Sequence, residues 1–318
     1  MEQISLFESS EPSPSLEWDQ ESSKHALDDL FKATFVYRKS KEFHELMTFV
    51  TKFHFYSPYN AFLIYTQRPG ARYVAPAYRW MKDFDHRVKP DANPMVILQP
   101  MGPVMFVFDV SDTEPLPDAK PLPIAVTNPF EVRKGRIHKE LDRAIENSKR
   151  DGIKIYYQKT GSQAAGSIQP VSKEQTFETL NFQIGKEKEG TPIYKSFPVS
   201  YVIKLKEDSD GNFRTENYAT LVHELAHLYC GHLGTPKKKW WPDRRGLSLA
   251  VREFEAESVS YLVCKRLGVE TTAEKYLSGY IGKEKKLPPS MSLECIMKSA
   301  GLIERMSYGR MKIRKTKK

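Results

Sequence analysis

One stretch constrains this chain more than any other: Thr220-Leu-Val-His-Glu-Leu-Ala-His-Leu-Tyr-Cys-Gly-His232. His223 and His227 are four residues apart, with Glu224 beside the first. On a helix, positions i and i+4 lie one above the other on the same face. Two imidazoles so placed can share one Zn²⁺, and the adjoining carboxylate can reach the water such an ion activates. The surroundings read as a helix: Thr215 as its expected cap, Glu216 in the first turn, Gly231 at the end. Leu221, Val222, Leu225, Ala226 and Leu228 make it apolar enough to be buried. A core helix with two satisfied histidines is the plain alternative, and the capped, otherwise apolar context favours the metal.

Such a site needs a third protein ligand and an open position. A metzincin pattern requires glycine at Cys230 and histidine at Leu233, so that pattern fails. His232 follows the helix end and reaches back only awkwardly, so it is expected to support the site rather than to ligate. The better source is Arg252-Glu-Phe-Glu-Ala-Glu-Ser-Val-Ser-Tyr-Leu-Val-Cys-Lys-Arg266. Ala250, Phe254, Tyr261 and Cys264 mark a stripe that includes Glu257, while Glu255 points roughly 160° away. Val251 and Leu262 can mark a second apolar stripe, which would carry Glu255. A carboxylate on an apolar stripe needs a strong reason to be there, and a metal is one. Glu257 is the expected third ligand and Glu255 the alternative; otherwise Glu253 and Glu255 read as a solvated helix face.

The chemistry follows from these parts. Zn²⁺ would be the cofactor, and Glu224 the group that takes a proton and passes it to a leaving amine. An oxyanion donor is also needed. Candidates are Arg244 and Arg245 in the basic-aromatic loop Pro236-Lys-Lys-Lys-Trp-Trp-Pro-Asp-Arg-Arg-Gly246, or Tyr and His side chains near the cleft. Trp240 and Trp241 read equally as a lid or as a packed loop.

The rest of the chain divides by texture. Residues 1–23 are rich in Ser, Pro and Glu and read as disordered. From Lys24 apolar residues recur at helical spacing as far as Val50. Ser57 and Pro58 fit the start of a short helix that Pro69-Gly70 ends. From Ala71 the pattern reads as strands, with a hairpin formed by Pro94–Pro100 and Val104–Val110. The prolines at 115, 117, 121 and 123 read as a linker. Beyond it we expect a helix over 135–150, strands over 153–157 and 200–205, and a loop over 163–170. After the metal helix come helices over 248–267, 272–281 and 292–306. The expected organisation is α+β: a front domain (24–114), a linker (115–130), a rear domain carrying the metal helix (131–306) and a basic tail (307–318).

Charge and aromatics bear on the front domain. The net charge of +9 points to an anionic partner, though part of the excess sits in the tail. Aromatic side chains stack bases and cations track phosphates, which suits single-stranded nucleic acid. Arg68, Arg72, Arg79 and Lys82 are the least core-like cations, and Tyr73 and Tyr78 the candidate stacking platforms. The alternative is that the aromatics are core and the cations a solvated face. No run of some 18 apolar residues exists, so no membrane span is expected. The acidic, polar N-terminus does not read as a signal peptide. Three cysteines without a C-x-x-C pair point to a reducing cytoplasm.

At this point the chain resembles a family. His223-Glu-Leu-Ala-His227, followed by Glu255-Ala-Glu-Ser-Val-Ser-Tyr-Leu-Val263, looks like the gluzincin-type metallopeptidase domain of the ImmA/IrrE and ArdC proteins. Tyr56-Ser-Pro-Tyr-Asn60, Trp80 and the strands between Lys89 and Val110 resemble the N-terminal single-stranded-DNA-binding domain of ArdC antirestriction proteins. The likeness runs from about Lys24 to Gly268. It implies His223 and His227 as ligands, Glu224 as catalytic acid/base and Glu257 as third ligand, though some ImmA/IrrE patterns slide to favour Glu255. It implies single-stranded DNA as a partner, an unidentified protein or peptide substrate, and a mobile-element or phage setting. Two other readings share these residues. One is a non-catalytic DNA-binding antirestriction or regulatory protein with a structural metal. The other is a regulator that cleaves a repressor.

Overall fold

A computed structural model of the protein describes residues 40–99, 102–127, 135–159, 166–172, 178–186, 190–208, 211–281, 287–309 and 311–312. The expected disordered N-terminus (1–23), the first part of the front helical run, and residues 310 and 313–318 of the expected basic tail lie outside the described residues. The architecture is mixed α and β.

The front of the chain begins with α1 (Ser40–Lys52) and α2 (Pro58–Gln67). The expected start of α2 is realised: the Ser57 side chain accepts from the Asn60 N–H and Pro58 occupies the first turn, where its missing N–H costs nothing. The expected hairpin is β3 (Met95–Gln99) against β4 (Gly102–Asp109), antiparallel, with the short β1 (Val74–Ala75) on the other side of β4. The strand-like stretch from Ala71 also contains a helix, α3 (Ala77–Phe84). Asp85 ends it in the left-handed region at φ 54°, its N–H bonded to the Trp80 carbonyl. Trp80, donating to the Phe108 carbonyl at 2.9 Å, pins α3 to β4. Strands β2 (His86–Val88) and β5 (Thr113–Pro115) pair antiparallel, and a single helical turn, α4 (Ile124–Thr127), follows.

The rear holds α5 (Lys139–Ser148) and a three-stranded sheet in the order β6 (Ile153–Gln158), β10 (Tyr201–Lys206), β7 (Ser167–Pro170). Strand β10 runs parallel to β6 and antiparallel to β7, with Ile203 opposite Ile168. The 163–170 stretch is therefore not simply a loop: pairing with β10 makes a strand of four residues whose composition does not announce one. Between β7 and β10 an unanticipated hairpin, β8 (Thr179–Lys186) and β9 (Pro192–Pro198), places Phe182 edge-on to Phe197.

Helix α6 (Arg214–Tyr229) carries the His-Glu pair and packs against α7 (Leu249–Arg266). Phe213, not Thr215, stands at the N-cap, with its N–H held by the Asp208 carboxylate at 3.0 Å. Ser248 caps α7 by accepting from Val251 N–H. Helices α8 (Thr272–Ile281) and α9 (Leu293–Tyr308) complete the rear.

One continuous cluster of buried residues joins α1 (Leu46, Val50), α2 (Phe62, Ile64), α6 (Leu221, Leu225), α7 (Phe254, Leu262) and α9 (Ile296, Ile303). The elements on either side of the expected 115–130 linker thus share a core. A second, smaller cluster centres on Tyr73, Ala75, Trp80 and Val126.

Candidate metal centre

Helix α6 is buried along the face that carries Leu221, Leu225 and Leu228, and presents His223 and His227 toward α7. Two close approaches hold it in place. A Cβ on Gly231, at φ 85°, would stand 2.2 Å from the Pro242 carbonyl, so only glycine lets the Trp-rich loop dock at the helix end. A Cβ on Gly166 would stand 2.4 Å from Thr220 Cγ2, so glycine also lets the start of β7 lie directly on α6.

The two imidazoles face each other, Nε2 to Nε2, at 3.2 Å. The Glu253 carboxylate bridges them: Oε2 lies 3.5 Å from His223 Nε2 and Oε1 lies 3.6 Å from His227 Nε2. Ligand atoms about 2.1 Å from a tetrahedral Zn²⁺ stand about 3.4 Å from one another. The Nε2–Nε2 separation is close to that edge length, and Glu253 sets one oxygen near each nitrogen, with one ligand atom from each residue within 4.8 Å of the others, so His223, His227 and Glu253 form a His₂Glu donor set of the type that holds zinc.

Glu257, the expected third ligand, is outside this triangle. Its Oε1 lies 3.7 Å from Nδ1 of His223, on the other edge of the ring. Glu253 and Glu257 are a turn apart on one face of α7, so the phase argument that pointed to Glu257 could not separate it from Glu253. The reading of Glu253 as part of a solvated face is corrected by its contacts with both Nε2 atoms. The same correction applies to Glu255, which is fully buried on the second apolar stripe, the one marked by Val251 and Leu262. It accepts from Arg244 Nη1 and Nη2 at 2.6 and 2.7 Å, from His232 Nε2 at 2.9 Å and from the Ser292 N–H at 2.7 Å. Glu255 therefore supports the structure and does not meet the histidine pair.

The electrostatics follow the geometry. Burial, then the neighbouring His223, pushes the pKa of His227 down and keeps that ring neutral, as a ligand must be. Burial also lowers His223, but Glu253, Glu257 and Glu224 outweigh it and its pKa is raised. A hydrogen bond with His223 is the largest influence on Glu253 and lowers its pKa. Burial raises Glu224 and Glu257, opposed in both by His223. For Glu255 the hydrogen bonds from His232 and Arg244 overcome burial, and its pKa falls.

Beside the triangle opens a cleft of about 870 Å³ lined by His223, Glu224, Glu257, Thr220, Lys206 and Gly166. Glu224 is mostly buried and turns toward this cleft from the helix that carries the ligands. Of the loop arginines, Arg244 is committed to Glu255 and Arg245 pairs with Asp243, and neither lines this cleft. Trp241 is packed, its Nε1 donating to the Gly234 carbonyl at 2.8 Å, which favours the packed-loop reading at that position.

The front-domain candidates separate by burial. Tyr78 is 66% exposed on α3, which also carries the exposed Arg79 and Lys82, and Arg72 is exposed ahead of β1. Tyr73 is buried, with ring contacts to Trp80, Phe84 and Phe55, and is not an open stacking platform. Arg68 is tied to Asp112 at 2.5 Å, and Arg79 to Asp83 at 2.8 Å.

No family model matches the chain. An uncharacterized protein of Bacillus anthracis is 24% identical in an alignment 279 positions long that covers 80% of this chain and 45% of that protein. The chain thus spans less than half of that relative's length. The crystal structure of the antirestriction ArdC protein from R388 plasmid, metal-free, is 15% identical with a TM-score of 0.32, covering 80% of this chain and 82% of that one. A likeness that slight fixes neither fold nor role. Among the described residues, no helix is long and apolar enough to cross a membrane.

Proposed function

We propose that the chain is a zinc-dependent hydrolase of the metallopeptidase type whose front part carries a face for single-stranded DNA. The observation that carries the hydrolytic reading is the His223–His227–Glu253 triangle with Glu224 beside it at the wall of an open cleft. His223, His227 and Glu253 would hold the ion. When bound, it would polarise a carbonyl and acidify water at the cleft wall. A purely structural site has no use for a base at its edge. Burial that raises the Glu224 pKa brings that carboxyl nearer the range in which it can both take and return a proton. Gly166, at the start of the outer strand β7, lines the same cleft, and an extended peptide laid along that strand would pass Glu224. Glu257 stands behind His223 and orients its ring.

The DNA-binding part rests on the exposed side chains of α3 and on the sequence resemblance to the front domain of antirestriction proteins. That resemblance also supplies the proposed setting, antirestriction or another mobile-element or phage role, in the cytoplasm. It rests on the quoted motifs alone.

The deciding experiment pairs zinc content with hydrolysis of a denatured-protein or peptide-library substrate. The wild type should bind one zinc and cleave; Glu224→Gln should keep the zinc and lose at least about 10²-fold in rate. Undiminished cleavage by Glu224→Gln would refute the assignment of Glu224 as base.

A further inference from the structure

We infer that His232 is a positioning residue that fixes His227 as its Nδ1–H tautomer, leaving the Nε2 lone pair aimed at His223 and Glu253. The tautomer follows from the structure with or without an ion. Its consequence for metal binding rests on the zinc reading above.

The argument starts at the far end of a buried chain of hydrogen bonds. Glu255 receives the forked guanidinium of Arg244 on both oxygens, and Oε1 also accepts from Ser292 N–H. A carboxylate so engaged is an acceptor only. His232 Nε2, 2.9 Å from Glu255 Oε2, must therefore be the donor of that pair. The Arg244 guanidinium already balances the Glu255 carboxylate, which leaves no second buried anion for an imidazolium, so His232 enters the chain as a neutral ring with one donor and one acceptor nitrogen, and its Nδ1 accepts. Its partner, 3.0 Å away, is Nδ1 of His227. His227 therefore donates from Nδ1, and its Nε2 is bare. That nitrogen is the one that faces His223 Nε2 and Glu253 Oε1.

Burial keeps solvent out of the chain. The His232 side chain is 1% exposed and that of Glu255 is 0%, so bulk water does not stand in for either partner. Gly231, whose positive φ turns the chain back under α6, puts His232 where it can reach His227. Cys230, His232 and Glu255 also stand close enough together to suggest a second metal site. The Arg244 guanidinium on both Glu255 oxygens opposes a cation there, and Cys230 Sγ lies 3.4 Å from Ser299 Oγ instead. The cluster is thus a brace for a ligand, of the kind whose loss weakens metal binding about 10- to 100-fold.

The test uses the full chain with His232→Leu and His232→Asn, the asparagine Oδ1 standing where Nδ1 accepts. Long-range ¹H–¹⁵N spectra of the metal-free protein should show His227 protonated at Nδ1 in the wild type and in His232→Asn, and a mixture in His232→Leu. Zinc affinity, by competition with a chromophoric chelator, should fall about 10- to 100-fold in His232→Leu and be largely restored in His232→Asn. Wild-type His227 protonated at Nε2 overturns the inference, as do equal losses in both variants or unchanged affinity in His232→Leu. Should His232→Leu fail to fold, the wild-type spectrum and His232→Asn still decide it. Nδ1–H at His227 in a wild type that binds no zinc supports the brace while removing the proposed function.

Discussion

Glu253 and Glu257 stand one turn apart on the same face of α7, yet they meet opposite edges of the His223 ring: Glu253 faces Nε2, and Glu257 faces Nδ1. Only Glu253 also reaches His227. The two carboxylates should therefore respond differently to removal. Glu253→Ala should weaken zinc binding by more than the roughly 10- to 100-fold that loss of an orienting partner causes, and Glu257→Ala should fall within that range. Chelator competition on the two variants measures both. A larger loss in Glu257→Ala would return the ligand role to the residue that helical phase favoured.

The elements that announce themselves locally were the readable ones. The His-Glu helix, the capped α2 and α7, the β3–β4 hairpin and the separate strands β6 and β10 all carry their own apolar period or turn chemistry, whereas the parallel pairing of β6 with β10 has no local signal. Strand β7 does not: its Ser-Ile-Gln-Pro gains its form from β10. Helix α3 buries fully only Trp80, so its aromatic composition read as strand. In the site, phase pointed to the face of α7 that meets the histidines but could not choose between its turns, because Glu253 and Glu257 share a direction. The Glu255–Arg244 clamp was illegible because it joins a helix to a loop through a packing arrangement with no sequence period. His232 was recognisable as a supporting residue by its place just past the helix end, but its partner was not.

The exposed face of α3 is the surface to test for nucleic acid. Tyr78→Ala should reduce affinity for a single-stranded oligonucleotide by about 1–3 kcal/mol if its ring stacks on a base. Lys82→Ala should lower the slope of log affinity against log salt by about 1. Tyr73→Ala should instead lower the melting temperature, since that ring packs against Trp80 and Phe84. Fluorescence anisotropy across a salt series separates these outcomes. Affinity unchanged by both α3 variants removes this face from the interface.

The three cysteines should react in an order set by burial. Burial raises the Cys264 thiol to about 12 and Cys230 well above its ordinary value, while Cys295 is raised but partly exposed. The thiolate is the reactive form. At pH 8 iodoacetamide should label Cys295 first in the native protein, and the other two only after denaturation, as read by peptide mass spectrometry. Zinc should not alter the Cys230 rate, because Cys230 is placed outside the metal triangle. Protection of Cys230 by zinc would contradict that placement.

Arg266, on the last turn of α7, ties the rear of the chain to its front. Its Nη1 donates to the carbonyls of Val50 and Phe53 at 2.6 and 2.9 Å, and its Nη2 to that of Tyr56 at 2.7 Å. Its Nε meets Glu304 at 2.6 Å, and the Arg266 side chain is only 4% exposed. Removing one partner of such a buried pair leaves the other charge uncompensated, so Arg266→Met should cost about 3–5 kcal/mol. Glu304, whose pKa burial already raises against the pull of Arg266, would then rise further and fold as the neutral acid. A carboxyl with a raised folded pKa favours folding at low pH and loses that advantage as pH climbs through the folded value. The deficit of Arg266→Met should therefore be smallest in acid and grow toward neutrality. Arg266→Met/Glu304→Leu should recover part of the loss at pH 7 but not all of it, because three carbonyls stay without their donor. Urea denaturation at pH 5 and pH 7 on the wild type, both single variants and the double measures the coupling, and a deficit independent of pH and of Glu304 would show that the carbonyl bonds alone carry the tie.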